Sequence, residues 1–149
     1  MRGKPSVLEF NARFGDPETQ VVLPLLQTDL LDVIEAVIEH RLDQLAVKWH
    51  AHSAVCVVMT SKGYPGHYEV GIPIQGLDSS RQDTMVFHAG TKQQDENVVT
   101  AGGRVLGITG IGPDLMTARE RAYETVRHIR FDGCHFRSDI AHRALTARI

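Results

Sequence analysis

At 149 residues, 42% hydrophobic and 23% charged, the chain suits one domain, or one small domain with a piece of another, and it has enough apolar side chains for a packed core. Its 16 Lys and Arg against 18 Asp and Glu leave a formal charge of −2, so no strong field toward nucleic acid or an anionic membrane is expected. No apolar run reaches the roughly 18 residues of a membrane-spanning helix, and the opening MRGKPSV lacks the apolar centre of a signal peptide. Cys56 and Cys134 lie far apart in no CxxC pattern and read as reduced thiols, so the expected setting is cytoplasmic.

In chain order, residues 6–13 alternate in character and predict a strand, with Leu8, Phe10 and Ala12 on one face and Glu9, Asn11 and Arg13 on the other. Because it starts so early, its backbone groups need neighbouring strands from elsewhere, and the expectation is a chain that enters a sheet midway. After Gly15, Asp16-Pro17-Glu18 reads as a helix start: Asp as N-cap, Pro at the first helical position, an acid in the first turn. That short helix should stop or kink near Pro24. Thr28-Asp29 restarts it, and Leu30, Val33, Ile34, Val37 and Ile38 form one stripe at helical spacing, expected to face a core.

From about Trp49 the texture becomes β. The run at 54–60 (AVCVVMT) predicts a buried strand, and Lys62-Gly63-Tyr64-Pro65-Gly66 a turn. Tyr68, Val70, Ile72 and Ile74 alternate with Glu69, Gly71 and Pro73, which predicts an edge strand. Strands are also expected at 85–89, 98–100 and 104–109, with KQQDEN as a loop. Pro113-Asp114 opens a helix with Leu115, Ala118, Ala122, Val126 and Ile129 inward and Arg119, Glu120, Arg121 and Arg127 in solvent. The ending FDGCHFRSDIAHRAL is basic and aromatic. A boundary near residue 49 divides a strand–helix piece, 1–49, from an α+β module, 50–149.

Two stretches carry candidate chemistry. Glu9 and Asn11, two apart on one strand face, present a carboxylate and an amide oxygen about 7 Å apart along the backbone. Such oxygens suit Mg²⁺, and Arg13 on the same face can clamp a phosphate or carboxylate bidentately. Spacing alone also describes the solvated face of an edge strand, because E-x-N-x-R is short. Gly102-Gly103-Arg104 can bring backbone N–H groups and one charge to an anion, or be a β-turn with a surface arginine. His50 and His52 lack a third ligand and read as ordinary histidines, and His88 as a structural hydrogen bonder.

The full string LEFNARFGDPETQ resembles the end of the ATP-grasp domain of the phosphoribosylamine–glycine ligase family. AVCVVMTSKGYPG, FHAGT, VTAGGRVLGITGIG and ARERAY follow in that family's order, and IRFDGCHFRSDIAHRAL looks like its C-terminus, so the resemblance covers essentially the whole chain. It implies an α+β chain in which 1–49 supplies the terminal strand and helices of an ATP-grasp domain. A small antiparallel β-rich C-terminal domain with one main helix follows at 50–149.

The implied activity is ATP-dependent ligation of glycine to 5-phosphoribosylamine through a glycyl phosphate, in purine biosynthesis. Glu9 and Asn11 would then hold Mg²⁺ (or Mn²⁺) at the β- and γ-phosphates of ATP, and Arg13 would stabilise the transferring phosphoryl group. Asp16 and Glu18 can cap the helix or touch the amine or ribose hydroxyls of phosphoribosylamine, and Gly103 and Arg104 would add a wall of the substrate site. The family's proteins are much longer, and this chain corresponds to roughly their last third. The expectation is therefore a piece that is inactive alone, with ATP, glycine, 5-phosphoribosylamine and a separate upstream chain as partners. Nucleic acid and membrane are not expected partners. Another ATP-grasp carboxylate–amine ligase, or a non-catalytic module that completes a partner's sheet, are the alternatives.

Overall fold

The computed structural model describes residues 6–8, 10, 12–79 and 83–146. Its centre is a three-stranded antiparallel sheet of order β1-β5-β2, formed by Ser53–Thr60 (β1), Arg104–Gly112 (β5) and Thr84–His88 (β2). Between β2 and β5 the chain makes a separate hairpin from Thr91–Gln94 (β3) and Asn97–Thr100 (β4). β5 lies between two partners and beneath a helix, which is why its text RVLGITGIG is apolar almost throughout instead of alternating. Its register places Val57 opposite Ile108 and Cys56 opposite Thr109, with a shift between Met59 and Thr60 where Thr60 meets Arg104.

One sheet face is closed by Leu115–His128 (α3). Asp114 caps it by accepting from the Thr117 N–H at 2.8 Å, and Arg127 and His128 in its last turn complement the dipole. A Cβ on Gly110 would overlap the Ala118 carbonyl and the Ala122 nitrogen, so the strand's glycine lets the helix backbone lie directly on the sheet. Val57, Met59, Val105, Leu106, Ile108, Ala122 and Val126 form the core of this layer pair. Arg119 and Arg121, expected in solvent, are half-buried: Arg119 bonds the tail carbonyls, and Arg121 pairs with Asp83 at 3.0 Å and donates to the Ile111 carbonyl. Long guanidinium stems reach across a helix edge to carbonyls that helical spacing cannot register.

The helices before the sheet are short. Thr19–Val22 (α1) runs into a 3-10 turn at Leu23–Leu25 around Pro24, and Leu30–Ile38 (α2) is capped by Asp29, which accepts from the Leu31 N–H. His142–Thr146 (α4) ends the described chain.

Four expectations need correcting. The described residues among 6–13 form no strand, because no described segment supplies a ladder for them, and Leu8 and Phe10 stand 96% and 88% exposed. Glu18, not Asp16, holds the N-cap position of α1, without a side-chain capping bond, and Pro17 lies in the preceding turn. The stripe of α2 is mostly uncovered: Ile34, Val37 and Ile38 are exposed, Leu30 and Val33 are half-buried, Leu31 beside the stripe is also exposed, and of this helix only Ala36 is buried. Finally, the β text divides differently. Residues 68–75 form isolated bridges, Pro73 to Val99 and Gln75 to Arg130, interrupted by the missing N–H of Pro73 and the positive φ of Gly71. KQQDEN is largely strand, its turn made by Asp95 at φ 53° and Glu96. The exposed side of this ladder is polar and shows no apolar alternation.

Candidate functional site

The turn 16–18 sits against the sheet beside the start of β5, and there two of the candidate stretches meet. Asp16 Oδ2 lies 3.0 Å from Arg104 Nη2, and Asp16 Oδ1 accepts from Gln20 Nε2 at 3.2 Å. Each partner of the ion pair is 44% exposed, so the pair contributes roughly 0–1 kcal/mol and its worth is geometric. Gln20 is itself tied to the sheet: its backbone carbonyl accepts from the buried Thr109 hydroxyl at 2.9 Å, while its Oε1 is buried without a partner among the described residues. A bonding pattern therefore runs from β5 through Gln20 and Asp16 back to Arg104 at the head of β5. The spacing of Asp16 and Gln20, four apart across a helix start, was a legible signal for that bond.

Gly103 is positioned by packing. It is buried, and a Cβ there would overlap the rings of Tyr64 and Tyr68, which lie tilted to one another at 6.4 Å. Ser61 anchors the turn, donating its N–H to the Gly103 carbonyl and its hydroxyl to the Gly102 carbonyl, each at 2.9 Å. The glycine thus brings Tyr64 beside Arg104, a placement with no sequence signal.

Three depressions surround this turn. One, of about 380 Å³, is lined by Arg104, Tyr64, Pro17, the side of β1 away from α3 (Cys56, Val58) and the tail residues His135 and Arg137. A second, of about 580 Å³, is bounded by Phe14, Asp16, Thr19, Gln20 and His88. A third, of about 290 Å³, contains Glu18 with Val21 and Leu115. Asp16, Gly103 and Arg104 are thus brought together, whereas Glu18 faces the third depression and folds its carboxylate over Gly15. Arg13 is exposed and donates to the Phe14 carbonyl at 3.1 Å. Glu9 and Asn11, the metal-ligand candidates, lie outside the described residues.

Burial pushes the Cys56 thiol up, partly offset by the Thr109 hydroxyl. Arg137 forks onto Asp139 at 2.9 and 2.7 Å, which holds the Asp139 carboxyl below its usual range. Sequence reasoning missed Gln20, Tyr64, His135 and Arg137. His88 hydrogen-bonds Thr91 at 3.0 Å, as expected of a structural histidine. His50 and His52 touch edge to face, and the described residues hold no group of three or more His, Cys, Asp or Glu able to bind a metal.

The fold and site define an α+β domain with small antiparallel sheets and an open, arginine-rimmed cleft at one sheet edge. The family described as Phosphoribosylglycinamide synthetase, C domain, matches residues 54–143, and the chain belongs to it. It is 52% identical over 137 residues to the phosphoribosylamine–glycine ligase of Caldanaerobacter subterraneus subsp. tengcongensis, a match covering 92% of this chain and 33% of that protein. Against the ligase of Synechocystis sp. the identity is 53% over 145 residues, covering 96% and 35%. The crystal structure of phosphoribosylamine–glycine ligase from Thermotoga maritima superposes with a TM-score of 0.72 at 35% identity, over 93% of this chain and 34% of that one. The chain spans about a third of the length of the ligases it matches.

Proposed function

We propose that this chain is the C-terminal part of an ATP-dependent ligase that joins glycine to 5-phosphoribosylamine, yielding glycinamide ribonucleotide, ADP and phosphate. The observation that carries the reading is the identity to phosphoribosylamine–glycine ligases along nearly the whole chain. The Asp16–Arg104 pair supports it, since it joins two motifs distant in sequence beside the 16–18 turn. In the proposed chemistry a glycine carboxylate oxygen takes the γ-phosphoryl group and ADP leaves. The amine nitrogen then attacks the acyl carbon, the C–O bond to phosphate breaks, and the amine's proton is lost.

Arg13, exposed and donating to the neighbouring Phe14 carbonyl, has the charge and reach to stabilise the transferring phosphoryl oxygens. Asp16 can accept from the amine or a ribose hydroxyl while Gln20 fixes its other oxygen; Gly103 and Arg104 complete this wall, and Glu18 is proposed to reach the substrate from the adjoining depression. Glu9 and Asn11 are the proposed ligands of Mg²⁺ or Mn²⁺, a carboxylate and an amide oxygen suiting a hard cation. When bound beside ATP, that ion would neutralise charge on the phosphate oxygens.

The residues 1–49 are proposed as the end of an ATP-grasp domain, and the upstream remainder as the partner of the exposed Leu8, Phe10, Leu31 and Ile38. The same uncovered surface favours, as a second reading, a non-catalytic module that completes a partner's fold. The two free thiols support a cytoplasmic setting.

The test combines this chain with the separately expressed upstream two-thirds of the Caldanaerobacter ligase and follows ADP release. Release that requires glycine, phosphoribosylamine and both polypeptides is the expected result. Stable association without ADP release would leave only the module reading, and release with a different amine would point to another ATP-grasp ligase.

A further inference from the structure

The tail that closes the cleft carries more hydrogen bonding than an irregular segment needs in order to pack. Tyr123 Oη donates to the Arg137 carbonyl at 2.6 Å and accepts from the Ile140 N–H at 3.1 Å. Arg119 donates to the carbonyls of Ile140 and Ser138, both at 2.9 Å, with its guanidinium 4.7 Å from the centre of the Tyr123 ring. Upstream, His135 and Thr60 exchange backbone bonds at 3.0 and 2.8 Å, tying the tail to the edge of β1. The backbone is thereby locked at four points around two side chains, His135 and Arg137, that line the cleft with Arg104. Locking of this kind preorganises a binding group.

The chemistry of the cleft is mixed. Pro17, Val58, Phe136 and Ile140 give it apolar walls, two guanidiniums give it charge, and an imidazole adds a polar ring. A guanidinium has five N–H donors. The pair with Asp16 engages Nη2 of Arg104, and the pair with Asp139 engages Nε and Nη2 of Arg137. Both pairs are exposed and weak, so a phosphate dianion can share or displace them, with forked geometry and greater charge in its favour. A volume of about 380 Å³ lies within the usual range for a small-molecule site. Apolar walls beside a cationic rim suit a phosphate monoester on a carbon skeleton better than a bare ion.

We propose that this cleft binds the phosphate of a pentose 5-phosphate between Arg104 and Arg137, with His135 alongside, and that Tyr123 and Arg119 position Arg137. The identity of the sugar phosphate rests on the ligase reading above; the anion site does not.

The experiment titrates the 149-residue chain with ribose 5-phosphate, inorganic phosphate and ribose, read by NMR amide shifts and calorimetry. Ribose 5-phosphate should bind saturably with shifts at Arg104, His135 and Arg137, inorganic phosphate more weakly, and ribose not at all. Arg137→Gln changes an exposed side chain and leaves the fold in place. It should weaken ribose 5-phosphate by about tenfold or more, the usual cost of a lost charged hydrogen bond. Tyr123→Phe keeps the ring, removes two bonds to the tail, and should weaken the same ligand well below the melting temperature.

Absence of binding at millimolar ribose 5-phosphate, or an Arg137→Gln variant that binds as tightly as the native chain, overturns the proposal. Equal affinity for inorganic phosphate overturns its sugar-phosphate part. The reconstituted ADP-release assay separates the two readings. Binding without ligation retains the cleft and removes the ligase. Ligation with a KM for phosphoribosylamine untouched by Arg137→Gln does the reverse.

Discussion

Gly103 shows how a single missing Cβ shapes this site. Two tyrosine rings occupy the space a methyl would need, so Gly103→Ala should lose about 1–3 kcal/mol and lower the melting temperature by several degrees. Because the closest overlap is with Tyr64, the double variant with Tyr64→Ala should be less than additive by thermal denaturation, with the Tyr68 contact remaining. Asp114 caps α3 by accepting from the Thr117 N–H, and hydrogen bonds from the backbone and side chain of Thr117 hold its carboxyl below the usual range; Asp114→Ala should cost about 1 kcal/mol in urea titration. Cys134 is pushed up to about 11 by burial. A raised thiol pKa leaves little thiolate at pH 8, on the order of a hundredth or less of what a free cysteine with pKa ~8.5 has. The greater intrinsic nucleophilicity of a high-pKa thiolate recovers part of this. Reaction of native Cys134 with a disulfide reagent should therefore be roughly tens of times slower than free cysteine, rising about tenfold per pH unit toward pH 11.

At the scale of elements, equal hydrophobicity does not mean equal energetic weight. Met59 on β1 is fully buried beneath α3, and Met59→Ala should cost about 2–5 kcal/mol. Leu31 on α2 is 60% exposed, and Leu31→Ser should change stability by no more than about 0.5 kcal/mol in the same denaturant series. The helical period of α2 was legible from Leu30 to Ile38, and so was its cap at Asp29, because both are local. Whether that stripe is covered depends on what packs against it, which no periodicity records. The same distinction explains β3. Its residues Lys92 to Gln94 have a solvated side, so their pairing with Val98 and Val99 left no apolar signature.

For the whole molecule, the uncovered surface around Leu8, Phe10, Phe14 and α2 is the most telling feature. Exposed apolar side chains, where they gather into a patch, mark an interaction surface or an association liability. The chain should bind an apolar fluorescent dye and self-associate as its concentration rises. A Leu31→Lys/Ile38→Lys variant should reduce both, measured by dye fluorescence and sedimentation, without changing the melting temperature appreciably. An unchanged dye signal would relocate the sticky surface to another face.

Much of the architecture followed from the sequence alone. Buried strands 54–60 and 104–109, the capped helix after Pro113 and the break at Pro24 all rest on short-range chemistry: side-chain period, caps and the missing proline N–H. Asp16, Gly103 and Arg104 were recognisable as residue types suited to a substrate wall. Their meeting was decided by tertiary structure, since the approach of the 16–18 turn to the head of β5 is set by packing between segments far apart in sequence. The same holds for Arg137, whose place in the cleft depends on bonds from Tyr123 and Arg119 to backbone atoms that every residue possesses and no sequence pattern can mark.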